Sequence, residues 1–411
     1  MNSEKFNKIL DLVSPISKSF ETVDKKIYLV GGIVRDLHRD TIDISKFDLD
    51  FTTDATPEEI RTIIKPITES IWLSGQRFGT IGAVINGKTI EITTHRSESY
   101  VTESRKPVVT FSTDIYEDLS RRDFTINSMA INLSTQEIID PFHGLEDLEM
   151  KVLRTPLDPD ISFSEDPLRM LRAARFVSRY NLKPEKNLIK SVGRLKERID
   201  IVSAERIRDE LNKLLETPDP NSGFRFLLKT GIYKAFLPEL LDIKSRHRIR
   251  YLNHDFCVRL AGLLLTTPTS ARKERMKELK YSNNEILRVN NLVDSVQMIL
   301  EGPINNPQYR RWHLFAADNR KDSIEIASIQ RGARRKIKSI QEKSRLLDHE
   351  LNDRVTPLSG SEIIDTFGIE EGPEVGEALD YLEEMFIQNG PIARDEAIKA
   401  LEIWLLQLKS K

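Results

Sequence analysis

The spacing of apolar residues divides the chain into a first third of mixed character and a helical remainder. Phe6, Ile9, Leu10 and Val13 fall on one helical face and predict an amphipathic helix over residues 4–20. Tyr28–Val30 is a short apolar strand that runs into Gly31-Gly32 and a helical Ile33–Leu37. A polar loop then leads to a second strand, Phe47–Thr53. Thr56-Pro57-Glu58-Glu59 supplies an N-cap, a proline at the first helical position and acids in the first turn, predicting a helix to about Ile63. Trp72–Ile85 and Lys88–Thr94 are rich in β-formers, and Asn86-Gly87 between them signals a hairpin. Residues 97–113 read as a polar loop. Asp118–Ala130 begins as a charged turn and becomes apolar, and residues 140–144 form a turn that closes a first domain.

From about residue 146 onward strand signals largely cease. Ser164–Tyr180 predicts a helix with Pro167 in its first turn, and Ser203 caps another over Ser203–Leu215. Helices continue over 224–295, with basic clusters at Arg246–Arg250 and Arg272–Lys280, and through the most basic stretch, Arg331–Arg345. Loop signals at Pro357–Gly360 and Gly372-Pro373 precede two last helices, 374–388 and 393–408.

At 411 residues the chain exceeds one ordinary core, so about two to four units are expected. A net charge of −2 leaves no global basic signature, and any nucleic-acid surface must be a local patch. One cysteine, Cys257, excludes an internal disulfide and a cysteine-built metal site. The N-terminus lacks a signal-peptide core and no apolar run approaches membrane-spanning length, which points to a cytoplasmic protein with no membrane partner.

The candidate chemistry gathers around residues 28–54. Asp48 and Asp50 are two apart on a strand and project from one face. Paired carboxylates repel unless a divalent cation sits between them, and such hard oxygen donors suit Mg²⁺ completed by substrate phosphates. Gly31-Gly32 before a helix lets backbone N–H groups approach a phosphate, and Arg35 lies one turn inside. Together these halves predict a nucleoside triphosphate beside a metal pair; taken singly, each also suits a glycine turn and a solvated acidic strand. Glu91, on the hairpin's second strand, is either a third acidic residue of that site or a solvent-facing one. Arg121, Arg122 and Asp123 suit phosphates and a ribose hydroxyl, or an ordinary surface. Arg169, Arg172 and Arg175 recur at threes on one helix face. Asp166 at the start of that helix is either a cap or, if Ser164 caps instead, a ligand group. One carboxylate and one guanidinium match the amino group and ring nitrogen shared by cytosine and adenine and clash with uracil and guanine, a pair that Asp166 and Arg169 can supply.

LVGGIVRD at 29–36, DLD at 48–50, FGTIG at 78–82, EITTHR at 91–96, RRDFTINSMA at 121–130, EDPLRMLRAARF at 165–176 and ERIRDEL at 205–211 resemble, in order, the class II tRNA nucleotidyltransferases. These are the bacterial CCA-adding enzymes of the poly(A) polymerase family. The resemblance is close over the first 240 residues and continues through PLSGSEII at 357–364 and EGPEVGEALDYL at 371–382. It implies an α+β protein: an N-terminal nucleotidyltransferase head of mixed sheet and helices (1–145), then an all-helical neck that reads the base (146–235), body (236–325) and tRNA-binding tail (326–411). The shape implied is that of a seahorse. The activity implied is template-independent, Mg²⁺-dependent addition of CCA to tRNA from CTP and ATP, with the tRNA held by its 3′ end and acceptor/T-arm region. Asp48 and Asp50 would hold the metal. Gly31, Gly32 and Arg35 would face the triphosphate, Asp123 the ribose, Asp166 and Arg169 the base, and Arg172 and Arg175 the phosphates; Glu205 to Glu210 match a neck-supporting motif. Alternatives are an A-adding or CC-adding relative, a poly(A) polymerase, a non-catalytic RNA-binding protein, and a helical protein whose acidic strand is a structural Ca²⁺ site. Many relatives carry a metal-binding HD domain after the neck. His247–Leu265 holds only His254-Asp255 of such a site, so that pair reads as structural.

Overall fold

The computed structural model describes residues 3–39, 49–73, 79–99, 108–241, 246–301, 304–352, 354 and 356–409. They form two compact units, Met1–Leu241 and Asp242–Lys411.

The first unit is built on a seven-stranded sheet. Its strands are β1 (Ile27–Val30), β2 (Leu49–Thr53), β3 (Ser70–Trp72), β4 (Thr80–Ile85), β5 (Lys88–Thr94), β8 (Ala130–Asn132) and β9 (Ile138–Ile139). A separate two-stranded sheet holds β6 (Arg96–Ser99) and β7 (Val108–Phe111). The large sheet runs β3-β4-β5-β2-β1-β8-β9, with β2 and β5 parallel and every other neighbour antiparallel. Helix α1 (Ser3–Glu21) packs Phe6, Ile9, Val13, Ile16 and Phe20 into a core with Leu29, Phe51, Ile81 and Ile92 from alternate strand positions. A smaller cluster of Tyr28, Val30, Ile115, Leu119 and Ala130 uses the intervening positions of β1. Mixed strand directions and attached helices are the α+β arrangement the motifs imply.

Local signals explain the main turns. Helix α2 is Gly32–His38, and α3, Pro57–Ile64, starts on a capping box in which Thr56 and Glu59 bond each other's backbone N–H. Asn86 and Gly87 both have positive φ, the turn that matches strand twist in a two-residue hairpin. The Trp72–Ile85 stretch is not one strand: β3 and β4 pair antiparallel, and residues 74–78 lie outside the described ones. The polar loop also differs from expectation, because its ends pair as β6 and β7. That pairing satisfies backbone groups without needing the apolar alternation from which strands are read. Residues 100–107, including most of the loop's charged positions, lie outside the described residues.

Helices α4 (Ile115–Ser120) and α5 (Gly144–Met150) complete this part, and α6 (Pro159–Glu165), α7 (Leu168–Arg179), α8 (Lys186–Leu195), α9 (Ala204–Leu215) and α10 (Asn221–Thr230) follow. The single helix expected over Ser164–Tyr180 is therefore two. Asp166 is extended, with φ −131° and ψ 97°, because the ring of Pro167 disfavours a helical residue before it.

The second unit is helical throughout its described residues, from α11 (Phe256–Leu263), α12 (Thr269–Glu278), α13 (Asn283–Leu300), α14 (Asn306–Ala316) and α15 (Arg320–Ser328) to α16 (Arg334–Asn352), α17 (Gly360–Phe367), α18 (Pro373–Asn389) and α19 (Arg394–Lys409). Asp255 caps α11, accepting from the N–H groups of Cys257 and Val258, and pairs with Arg288 at 2.8 Å. Arg272, from one of the basic clusters, is fully buried; it donates to Asn290, Asp294 and the Thr267 carbonyl rather than facing solvent. No helix among the described residues is long and apolar enough to cross a membrane.

Candidate active site

The turn after β1 sets the geometry. Gly31 has φ 79° and ψ −141°, a combination open essentially to glycine, and it starts α2. A Cβ there would lie 3.7 Å from both an Arg122 terminal nitrogen and Asp50 Oδ2, so the turn brings backbone between a cation and an anion. Gly32 serves a different purpose. A Cβ on it would stand 3.2 Å from a terminal nitrogen of Arg35, whose guanidinium folds back over the helix start. Arg35 is buried: it donates to both oxygens of Asp36 at 2.9 Å and to Asn127 Oδ1, and it stacks 4.2 Å from the centre of the Tyr180 ring. It borders the site, with its donors engaged by protein groups.

Asp50 is half-buried on β2 and lies in register with Glu91 on β5. Aligned residues of neighbouring strands present their side chains on one sheet face. Two carboxylates so placed fit a hard divalent cation completed by phosphate oxygens. No group of three or more possible metal ligands converges among the described residues. Asp48, the other half of the acidic pair, lies outside them.

Opposite the sheet, α7 presents its arginines. Arg172 donates to Asp123 Oδ2 at 2.8 Å, and Asp123 Oδ1 accepts from Asn127 Nδ2 and from the Phe124 N–H. Burial alone would push the Asp123 carboxyl up; Arg172 and the Asn127 hydrogen bond outweigh it and hold the pKa at about 2. Arg172 is shifted upward in turn by the same carboxylate. Arg175 donates to Glu210 on α9 at 2.6 Å, and Arg172 approaches the same carboxylate at 3.6 Å. Phe176 and Tyr180, one turn apart and 5.3 Å between ring centres, meet five guanidiniums: Arg35 meets both rings, Arg172 and Arg175 meet Phe176, and Arg39 and Arg179 meet Tyr180.

Asp166 does two things at once. Its Oδ1 accepts from the Leu168 N–H at 3.2 Å, which is the capping role, and its Oδ2 pairs with Arg206 at 3.2 Å. Arg169 is buried and bonds the Ser162 carbonyl and hydroxyl, Glu165 and the carbonyl of Arg121.

Gly31, Gly32, Arg35, Asp50, Arg122, Asp123, Asp166, Arg169, Arg172 and Arg175 all border one cavity of about 610 Å³, within the range of small-molecule sites. Its wall carries seven arginines and Lys213 against five carboxylates, an excess suited to a polyanion. Glu91 stands beside Asp50 but outside that wall. Arg206, Asn127 and Tyr180 are wall residues that sequence reasoning did not single out as site residues. Arg206 and Asn127 fall inside quoted motifs, yet a pairing over 40 residues such as Arg206–Asp166 leaves no mark in local spacing.

Family models match most of the chain: the poly A polymerase head domain over residues 27–154, an RNA and SrmB-binding region of polymerase A over 181–244, and tRNA nucleotidyltransferase domain 2 over 259–401. The CCA-adding enzyme of Lactobacillus helveticus is 30% identical over 400 residues, covering 94% of this chain and 96% of that protein. That of Pediococcus pentosaceus is 32% identical over 374 residues, covering 88% and 89%. Among solved structures, the Bacillus stearothermophilus CCA-adding enzyme in complex with CTP aligns with a TM-score of 0.76 at 24% identity over 98% of each chain. The Thermotoga maritima enzyme complexed with tRNA aligns with a TM-score of 0.66 at 23% identity, over 98% of this chain and 96% of that one. At these identities the structures establish the fold.

Proposed function

This chain belongs to the CCA-adding enzyme family, and on that premise we propose that it completes the 3′ end of tRNA with C, C and A from CTP and ATP, without a nucleic-acid template and with Mg²⁺. Nucleotidyltransferases of this family use a divalent metal; Mg²⁺ is the form that two carboxylates plus triphosphate oxygens fit best. The observation that carries the reading is the cavity itself. The Gly31 turn, Asp50, the Arg122-Asp123 pair and the arginine face of α7 meet around one polyanion-sized space.

In this reading Arg122, Arg172 and Arg175 take the phosphates, with the N–H groups at the start of α2, while Arg35 braces that turn from behind. Asp123, kept anionic by Arg172, is the acceptor for a ribose hydroxyl. Asp166 accepts from the amino group of cytosine or adenine and Arg169 donates to the ring nitrogen; uracil and guanine would leave both groups opposed to like groups. Asp166 Oδ2 already holds Arg206, so an incoming amino group shares or displaces that partner. Asp48 and Asp50, with Glu91 beside Asp50, would hold the metal, which when bound would activate the primer hydroxyl and neutralise the leaving pyrophosphate. Positioning and electrostatics supply the rest. The working division of the chain is head 1–145, neck 146–235, body 236–325 and a tRNA-binding tail 326–411 that grips the acceptor/T-arm region, and the site of action is the cytoplasm.

The test is incubation with tRNA ending in the discriminator base, in C or in CC, with CTP and ATP separately and together. Full addition on all three primers, abolished in Asp50→Ala, is expected. Stopping at CC, or activity only on the CC-ended primer, would reassign the chain as a CC-adding or A-adding relative. Repeated A addition would make it a poly(A) polymerase.

A further inference from the structure

Arg121 and Arg122 look interchangeable in the sequence, yet a buried carboxylate separates their tasks. Asp118 lies three and four residues before them, within α4, and is fully buried. Its Oδ1 accepts from Arg121, with the Nε at 3.1 Å, and its Oδ2 accepts from Arg122 at 2.9 Å. Burial opposes its charge, but the two guanidiniums outweigh burial and hold the carboxyl below the ordinary range, so it is anionic at working pH. Held this way, Arg122 lies along the cavity wall beside Gly31. Arg121 takes no part in that wall. Its Nε also reaches the Arg96 carbonyl at 3.1 Å, and its own carbonyl accepts from Arg169 at 2.5 Å.

The Arg169 guanidinium is planar, so its direction is set by its acceptors. Ser162 and Glu165 belong to α6, the helix just before its own. The Arg121 carbonyl is the acceptor contributed by the sheet-bearing part of the chain, and it ties Arg169 to the side of the cavity where Arg122 stands. On the sheet side of that tie, the side chains of both Arg121 and Arg122 bond Asp118.

We propose that Asp118 is a positioning residue for nucleotidyl transfer: a single buried anion that aims Arg122 at the triphosphate and, through Arg121, fixes the carbonyl on which the base-reading Arg169 is seated. The proposal rests on the nucleotidyl-transfer reading above. Asp118 itself touches no substrate, so its removal alters alignment and selectivity rather than a direct interaction with the nucleotide.

The experiment compares wild type, Asp118→Asn and Arg121→Ala in single-nucleotide incorporation into tRNA with Mg²⁺, offering CTP, ATP or UTP, alongside thermal melting. Asp118→Asn keeps the shape and loses the charge; kcat for CMP addition should fall by about 10²-fold while KM changes far less, as misalignment predicts. Selection of CTP over UTP should also drop by about tenfold, because a base-reading group without a fixed direction discriminates less. Arg121→Ala, a group outside the cavity, should reproduce the loss of selection. Should Asp118→Asn fail to fold, Arg121→Ala decides alone, with unchanged selection overturning the proposal. Wild-type kcat and selection in a folded Asp118→Asn, or losses that merely follow the melting temperature and vanish well below it, would likewise overturn it. Wild-type protein that incorporates neither CMP nor AMP would defeat the functional reading instead, so the two failures are distinct.

Discussion

Replacing Gly31 by alanine separates backbone strain from crowding at the phosphate turn. There is room for the added Cβ, since its nearest neighbours stand 3.7 Å away at van der Waals distance. The difficulty is conformational. At φ 79° and ψ −141° a residue with a side chain costs about 1–3 kcal/mol. In a unit of Met1–Leu241 that is a melting shift of a few to about ten degrees. If the backbone relaxes to escape the strain, the N–H groups at the start of α2 rotate away from the phosphates, and kcat/KM should fall by about 10²-fold. Gly32→Ala is the control. Gly32 has no positive φ, and its Cβ would press a terminal nitrogen of Arg35 at 3.2 Å. The helix propensity gained offsets part of that crowding, so the net change should stay within about 1 kcal/mol. Thermal melting and CTP incorporation kinetics on both variants decide the matter. A Gly32→Ala loss as large as that of Gly31→Ala, or a Gly31→Ala protein with wild-type melting and turnover, would refute the reasoning.

Two further outcomes are open to measurement. The Asp123 carboxyl is depressed in the fold to about 2 from an ordinary 3.8, so its stabilisation is fully present above the ordinary value and is lost as pH falls toward 2. Urea midpoints should therefore decline over that window, and Asp123→Asn should be less stable at neutral pH with a flatter acid limb; a parallel curve would contradict the assignment. In the second unit, Arg334, Arg335 and Lys338 are exposed at the start of α16. Charge reversal there should raise the KM for tRNA and reduce the salt slope by somewhat under one unit for each phosphate no longer neutralised; an unchanged slope would make them a solvated face.

What could be read from the chain beforehand was local. The glycine turn, the Thr56 cap, the Asn86-Gly87 hairpin and the arginine face at 169, 172 and 175 each depend on a few consecutive residues, and the structure has them. The break at Asp166-Pro167 was also local, but a favourable helical pattern on its far side masked it. The Arg206–Asp166 pair, the burial of Arg272 and the Arg121 carbonyl beneath Arg169 are products of folding, joining residues 18 to 48 apart. The β6–β7 pairing lay hidden because β6, Arg-Ser-Glu-Ser, has no apolar residue and β7, Val-Val-Thr-Phe, is a four-residue run without alternation.

The rings of Phe176 and Tyr180 have a mechanical consequence. Hydrogen-bonded ion pairs such as Arg172 with Asp123 depend on angle and length, and they weaken steeply when either changes. A guanidinium resting on an aromatic face is held by a broad attraction extending to about 6 Å, with no preferred direction along the ring. Arg35 and Arg39 reach these rings from α2 and its C-cap, whereas Arg172, Arg175 and Arg179 lie on α7, which carries Phe176 and ends at Tyr180. The seam between sheet and helix is thus a greased bearing flanked by a few latches. A small displacement along the rings therefore costs less than the same displacement at the Arg172–Asp123 pair, whose hydrogen bonds fix angle as well as distance.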